Sequence, residues 1–214
     1  MPVLLSSAPR LLQPAPAAVR QICPYEHYSL VRIDLSDFTT SGVTVADLAS
    51  KGMCKGYSAT ITDGTYGYCV PQSDSGCTAG QGQSGESQHG LFMRFTLDAN
   101  FAATTVTTLA LNAVDPDLQG FSGGAVDGNG YAYLTPAYTG VEYTGKVPRI
   151  NLTNWDACVS AGSATNCVEI NDNIGNDEIF QTNKMHYNDG FIDTDHFYMS
   201  PDYPNYDRIL RFAI

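Results

Sequence analysis

The chain has 214 residues, of which 43% are hydrophobic and 11% aromatic; this is enough apolar material for one sizeable core and unlike a disordered segment. Asp and Glu outnumber Lys and Arg by 22 to 11, a formal charge of −11, which argues against a nucleic-acid partner because phosphate binding needs clustered cations. No apolar run approaches the ~20 residues a helix needs to span a bilayer, and 20 Gly and 13 Tyr with only 15% charged residues favour short strands and tight turns over helices.

Residues 1–25 contain no acidic residue, hold Arg10 and Arg20, and break their apolar stretches at Pro9, Pro14 and Pro16. An unbroken apolar core, the mark of a secretory signal, is missing, and the composition is closer to an organellar transit segment. We read residues 1–18 as an extended N-terminal arm packed on the domain or on a partner, and 19–214 as one β domain. A first, partial unit follows, built on Ile22-Cys-Pro24 and Leu30-Val-Arg-Ile-Asp-Leu35.

From there the text recurs. Tyr66-Gly-Tyr-Cys-Val-Pro71, Tyr131-Ala-Tyr-Leu-Thr-Pro136 and His196-Phe-Tyr-Met-Ser-Pro201 end on prolines 65 residues apart, each preceded by an aspartate: Asp63, Asp127 or Asp193. Asp63-Gly64 and Asp127-Gly128 predict tight hairpin turns in which glycine supplies the positive φ; Asp193-Thr-Asp195 predicts a different turn. Arg32, Arg94, Arg149 and Arg208, four of the seven arginines, begin similar Arg-Ile or Arg-Phe runs. Each unit offers four strands; in the middle copy these are 120–126, 131–135, 146–152 and 167–171. The segment after the proline varies in length, from Gln72–His89 to Ala137–Gly145 to Asp202–Asp207, as a surface loop does. Small antiparallel sheets of this kind must stack on neighbours to bury both faces.

A strand ending in Asp-Gly, an aromatic strand ending near Pro, and a strand of the Val-Arg-Ile-Asp-Leu kind resemble the blades of β-propellers of the YVTN, NHL and kelch-like type, over about residues 19–214. Trp155-Asp156 occurs once, in an expected loop, so the resemblance is not to Trp-Asp repeats. It implies an all-β propeller of four-stranded, ~65-residue repeats. Such a propeller is either small and four-bladed, with Pro2-Val-Leu-Leu-Ser6 as a closing strand, or completed by another subunit.

Six cysteines permit 15 pairings, and the short separations favour Cys69 with Cys77 and Cys158 with Cys167, which leaves Cys23 with Cys54. Disulfides imply an oxidising compartment, secreted or an organelle lumen. Zinc spacing is absent, and we expect no metal and no cofactor. The oxygen-rich run 172–178 does not match an EF-hand, and His27, His89, His186 and His196 share no metal-ligand spacing. Asn151-Leu-Thr153 is a glycosylation sequon inside an expected strand, an unfavourable place for a glycan.

The arginine series is expected to make structural pairs between sheets rather than an anion site. Aspartates 63, 127 and 193 recur with every unit, which marks them as turn residues and not as the carboxylate pair of a glycosidase. Contact with a ligand or partner falls to the loop tyrosines Tyr138, Tyr143, Tyr203 and Tyr206, because tyrosine joins apolar area to a polar tip. The function expected is a non-catalytic propeller acting as an interaction module, an accessory subunit of a larger protein assembly. A secreted or lumenal carbohydrate-binding lectin is the alternative, with a glycan as ligand, and a propeller-type hydrolase is third.

Overall fold

The computed structural model describes residues 19–22, 27–37, 39–73, 88–98, 100–139, 145–171, 187–201 and 209–214. Fourteen strands among them form four antiparallel sheets. The first holds β1 (Val19–Ile22), β2 (Ser29–Asp34) and β3 (Val43–Asp47). The second holds β4 (Tyr57–Thr62), β5 (Tyr66–Pro71), β6 (Leu91–Thr96) and β7 (Val106–Ala110). The third holds β8 (Phe121–Val126), β9 (Tyr131–Pro136), β10 (Val147–Asn151) and β11 (Val168–Asn171). The fourth holds β12 (Tyr187–Ile192), β13 (His196–Pro201) and β14 (Leu210–Ala213). Within each sheet the strands follow chain order. The expected all-β class holds, as four antiparallel meanders; no closed ring of sheets forms among the described residues.

The turn aspartates have a definite task. Asp63 accepts the backbone N–H of Thr65 and Tyr66 on Oδ1 and the Tyr68 hydroxyl on Oδ2 at 2.7 Å. Asp127 does the same for Asn129, Tyr131 and Tyr133, and Asp193 for Asp195, His196 and Tyr198. One carboxylate thus ties the turn between two strands to a side chain on the second of them. Burial, then the Asp63 bond, pushes the Tyr68 hydroxyl pKa upward, and burial raises that of Tyr133 to about 12.

A bulge next to each proline recurs as well. Tyr57 pairs with Pro71, Phe121 with Pro136 and Tyr187 with Pro201, and the register then shifts by one residue. At two of these bulges the extra residue is a serine aimed at the next sheet. Ser58 Oγ donates to the Phe121 carbonyl at 2.9 Å, and Ser122 Oγ to the Tyr187 carbonyl. Gly56 and Gly120, just before Tyr57 and Phe121, have φ of 66° or more (90° and 69°), and a Cβ there would meet the Ser73 or Tyr138 carbonyl oxygen at 2.0 Å. Only glycine fits both constraints.

Three apolar clusters fill the three junctions. Leu30, Ala46 and Leu48 meet Met93, Phe95 and Phe101 between the first and second sheets. Tyr68, Val70 and Phe92 meet Leu134, Ile150 and Trp155 between the second and third. Tyr133 and Val147 meet Phe197, Met199 and Phe212 between the third and fourth.

Three local expectations are corrected. In the second hairpin Gly130, not Gly128, takes the positive φ, because Asp127 holds residues 129 and 131 and displaces the left-handed step to the end of the turn. Trp155-Asp156 opens a short helix, α1 (Trp155–Ala161), rather than lying in a loop. Asn151 caps the preceding 3-10 turn by accepting from Thr153 and Asn154, Trp155 is fully buried with Nε1 donating to Thr107 Oγ1 at 2.9 Å, and Cys158 bonds Cys167. The Asn151 amide oxygen is occupied by this cap. Finally, the residue facing Tyr198 as Arg94 faces Tyr68 and Arg149 faces Tyr133 is Arg211; Arg208 lies outside the described residues. The clasped tyrosine sets that register, and arginine text alone does not.

Replacing Asp63 with Ala orphans two backbone donors and the Tyr68 hydroxyl, and we expect a loss of about 1–3 kcal/mol, with Tyr68→Phe costing about 1 kcal/mol. Urea midpoints of the two variants measure it. An Asp63→Ala midpoint equal to the parent's would refute the clasp as a structural element.

Candidate interaction faces

The arginines of β2, β6 and β10 use their guanidinium planes on aromatic rings. Arg32 sits 5.2 Å over Phe101, Arg94 lies 4.3 Å over Tyr66 and 5.2 Å over Trp155, and Arg149 is 3.8 Å over Tyr131. Their donors are also engaged: Arg32 Nη1 with the Asp98 carbonyl at 2.7 Å, Arg94 with Asp156, and Arg149 with Glu169 at 3.3 Å. Stacking of this kind suits Arg, whose flat, weakly hydrated cation tolerates partial burial. Arg32 and Arg94 each reach into the following sheet, where their acceptors sit just beyond that sheet's third strand.

Arg211 differs. It is exposed and has no ion-pair partner among the described residues. It shares the outer face of the fourth sheet with Tyr198 and Phe191, whose rings stack at 4.8 Å and 3°, and Phe191 is 56% exposed. At the other end of the molecule the outer face of the first sheet pairs Val31 with Val45 and Ile33 with Val43, with Val45 48% exposed. Ile33 and Val43 line a shallow hollow of ≈ 350 Å³ with Thr39 and Thr40. No described element covers either face.

A second group of residues lies just before β6, around His89. His89 is fully buried; its Nδ1 accepts from the Leu91 N–H at 3.2 Å, and its ring meets the edge of Tyr57 at 5.0 Å. His89 Nε2, the Tyr57 hydroxyl, Gln88 Oε1 and Gln119 Oε1 are buried without a hydrogen-bond partner among the described residues. Burial lowers the His89 pKa to about 4, against a smaller opposing effect of the Gly56 and Lys55 carbonyls. Burial likewise pushes the Tyr57 hydroxyl upward, so both groups are held neutral. Nearby, Lys146 bridges Asp115 and Asp117 at 2.7 Å each. Burial works against the charged forms of Lys146 and Asp115, but their mutual bonds win, raising the lysine and lowering the aspartate.

Of the loop tyrosines, Tyr138 is exposed; Tyr143, Tyr203 and Tyr206 lie outside the described residues, as do the 172–178 run and His186. His27 is exposed and His196 sits beside Asp193, far in sequence from His89. Among the described residues no group of His, Cys, Asp and Glu is placed to hold a metal ion. Cys54 and Cys69 are disulfide-bonded, and Cys23 and Cys77, their expected partners, lie outside the described residues. A hollow of ≈ 240 Å³ between the third and fourth sheets is lined by Tyr133, Arg149, Glu169 and Phe212, with Glu169 its one acidic side chain among the described residues. No described helix is long and apolar enough to cross a membrane. Sequence reasoning missed both end faces, because alternation shows that a strand has two sides but not which side lacks a neighbour.

No family model matches the chain, and comparison with characterised proteins and with solved structures finds no match.

The buried imidazole generates a pH prediction. His89 has a folded pKa of about 4 against an ordinary 6.5, so the stability of its neutral form is fully present above pH 6.5 and is lost as pH falls toward 4. The full loss is about 3 kcal/mol. Urea titrations at pH 7 and pH 4.5 should show a decline in the parent that is much smaller in His89→Leu.

Proposed function

We propose that this chain is a non-catalytic interaction module of the β-propeller type, whose sheets act as blades and whose end faces receive a protein partner within a larger assembly. The observation that carries this reading is the pair of apolar outer faces on the first and fourth sheets. Exposed large apolar residues scattered singly are ordinary, whereas Val43 and Val45 on one sheet face, and Phe191 stacked on Tyr198 on another, are contiguous. Propeller geometry is supported by the order of contact, since β4 packs beside β8 and β8 beside β12, so that the first strands of successive sheets adjoin. The Cys158–Cys167 bond fits an oxidising compartment.

In hydrogen exchange on the protein in its native assembly, the amides of β2–β3 or β12–β13 should exchange more slowly than in the isolated chain. Val45→Asp and Phe191→Asp should fold with parental circular dichroism yet drop out of the assembly. Equal exchange in both settings would overturn the reading.

A further inference from the structure

The three junctions inside the molecule are sided. The sheet that precedes a junction contributes the clasped tyrosine, Tyr68 or Tyr133, and the third-strand arginine; at two junctions the bulge serine also donates to the next sheet's first strand. The sheet that follows contributes the apolar residues flanking its own arginine: Met93 and Phe95, then Ile150, then Leu210 and Phe212. It also contributes an acceptor a few residues beyond its third strand, the Asp98 carbonyl for Arg32 and the Asp156 carboxylate for Arg94.

The outer face of the fourth sheet has the tyrosine clasp and the facing arginine of a preceding face, and no described element follows it. Tyr198 is clasped by Asp193, Arg211 lies opposite, and Asn188 stands at the bulge where the other sheets have Ser58 and Ser122. The outer face of the first sheet is a following face with no described element before it. Val31 and Ile33 flank Arg32, and Asp37 comes five residues after that arginine, between the four-residue offset from Arg94 to Asp98 and the seven-residue offset from Arg149 to Asp156. The two faces match as the halves of one more junction would, and among the described residues they do not pack on each other.

We propose that they meet in trans, head to tail, in a second copy of this chain: the Phe191, Tyr198 and Arg211 face of one copy on the Val31, Ile33, Val43 and Val45 face of the other, with Arg211 reaching Asp37. This rests on the interaction-module reading and names its partner. Charge fits, because the exposed cation on one half meets a carboxylate on the other. Symmetry fits as well. A head-to-tail contact either propagates into a filament or closes, and two copies of a four-sheet arc close into a ring of eight sheets, within the ~4–8 blades that propellers use. Closure satisfies both faces of both copies at once.

The test is sedimentation and light scattering at micromolar to tens of micromolar concentration. The parent should run as a two-chain species that dissociates more readily at high salt, and Phe191→Asp and Val45→Asp should each run as single chains. Mixed in equal amounts, those two variants should recover a two-chain species, since one intact face remains on each. Arg211→Asp should weaken association at least tenfold, and adding Asp37→Arg to it should restore most of the loss. A single-chain parent, a parent dimer that survives both face variants, or a mixture that recovers nothing would each overturn the proposal. Should a variant misfold, the parent alone decides, because on dilution β2–β3 and β12–β13 amides must lose protection together. A single-chain parent whose faces are still protected in the native assembly removes the second copy and leaves the module reading standing.

Discussion

Each sheet here is too small to stand without a neighbour, and the burial of aromatic side chains between successive sheets is the constraint on which everything else depends. A fully buried Phe, Tyr or Leu side chain contributes about 1.5–3 kcal/mol, whereas one intramolecular hydrogen bond nets about 1 kcal/mol. Cohesion therefore comes from Phe92, Phe95, Tyr133 and Phe197 at the junctions. The polar links decide alignment. Ser58 and Ser122 hold each first strand at a fixed height on the next, and the aspartate clasps fix which way the tyrosine ring leans. A slip of one residue would turn every junction side chain to the wrong face.

The same logic explains the cost accepted around His89, just before β6. His89 lies just before β6 and ties the second sheet to the segment that enters the third: its N–H donates to the Gln72 carbonyl and its own carbonyl accepts from the Gly120 N–H. The backbone there has to pass close to the Tyr57 ring, and the side chain is sealed in with Gln88 and Gln119. A buried neutral imidazole beside unpaired amide oxygens is a tolerable burden only because the two adjoining junctions are well filled. It also makes this corner sensitive to protons.

Much of the architecture could be read from the text, and the reasons are specific. Alternating aromatic strands closed by Pro71, Pro136 and Pro201 mark β5, β9 and β13 because proline ends a ladder at a sheet's end. The strands expected at 120–126, 131–135, 146–152 and 167–171 correspond to β8 through β11 within a residue or two. What could not be read depended on partners distant in the chain. Arg208 rather than Arg211 continued the arginine series because local text carries no cross-strand register. Trp155 was assigned to a loop because its helix is made by a Cys158–Cys167 bond and an indole seat at Thr107 on another sheet. Tyr138 could be named as a loop tyrosine from its sequence; the valines of β3 could not be named as a surface, since nothing in Val43-Thr-Val-Ala-Asp47 says which side is covered.

Electrostatics gives the arginines their second role. With 22 acidic and 11 basic residues the chain repels copies of itself at long range, and an apolar face alone would have to overcome that repulsion. Inside the molecule the difficulty is solved locally, as Arg32, Arg94 and Arg149 each place a cation between two sheets, flat against a ring and bonded to an oxygen acceptor. Lys146 does the same for Asp115 and Asp117. The described cations at the junctions are thus already committed to acceptors, apart from the one on the outer face of the fourth sheet. A cation left over at an apolar face, in a chain this acidic, favours a surface that brings its own carboxylate, as Asp156 does for Arg94.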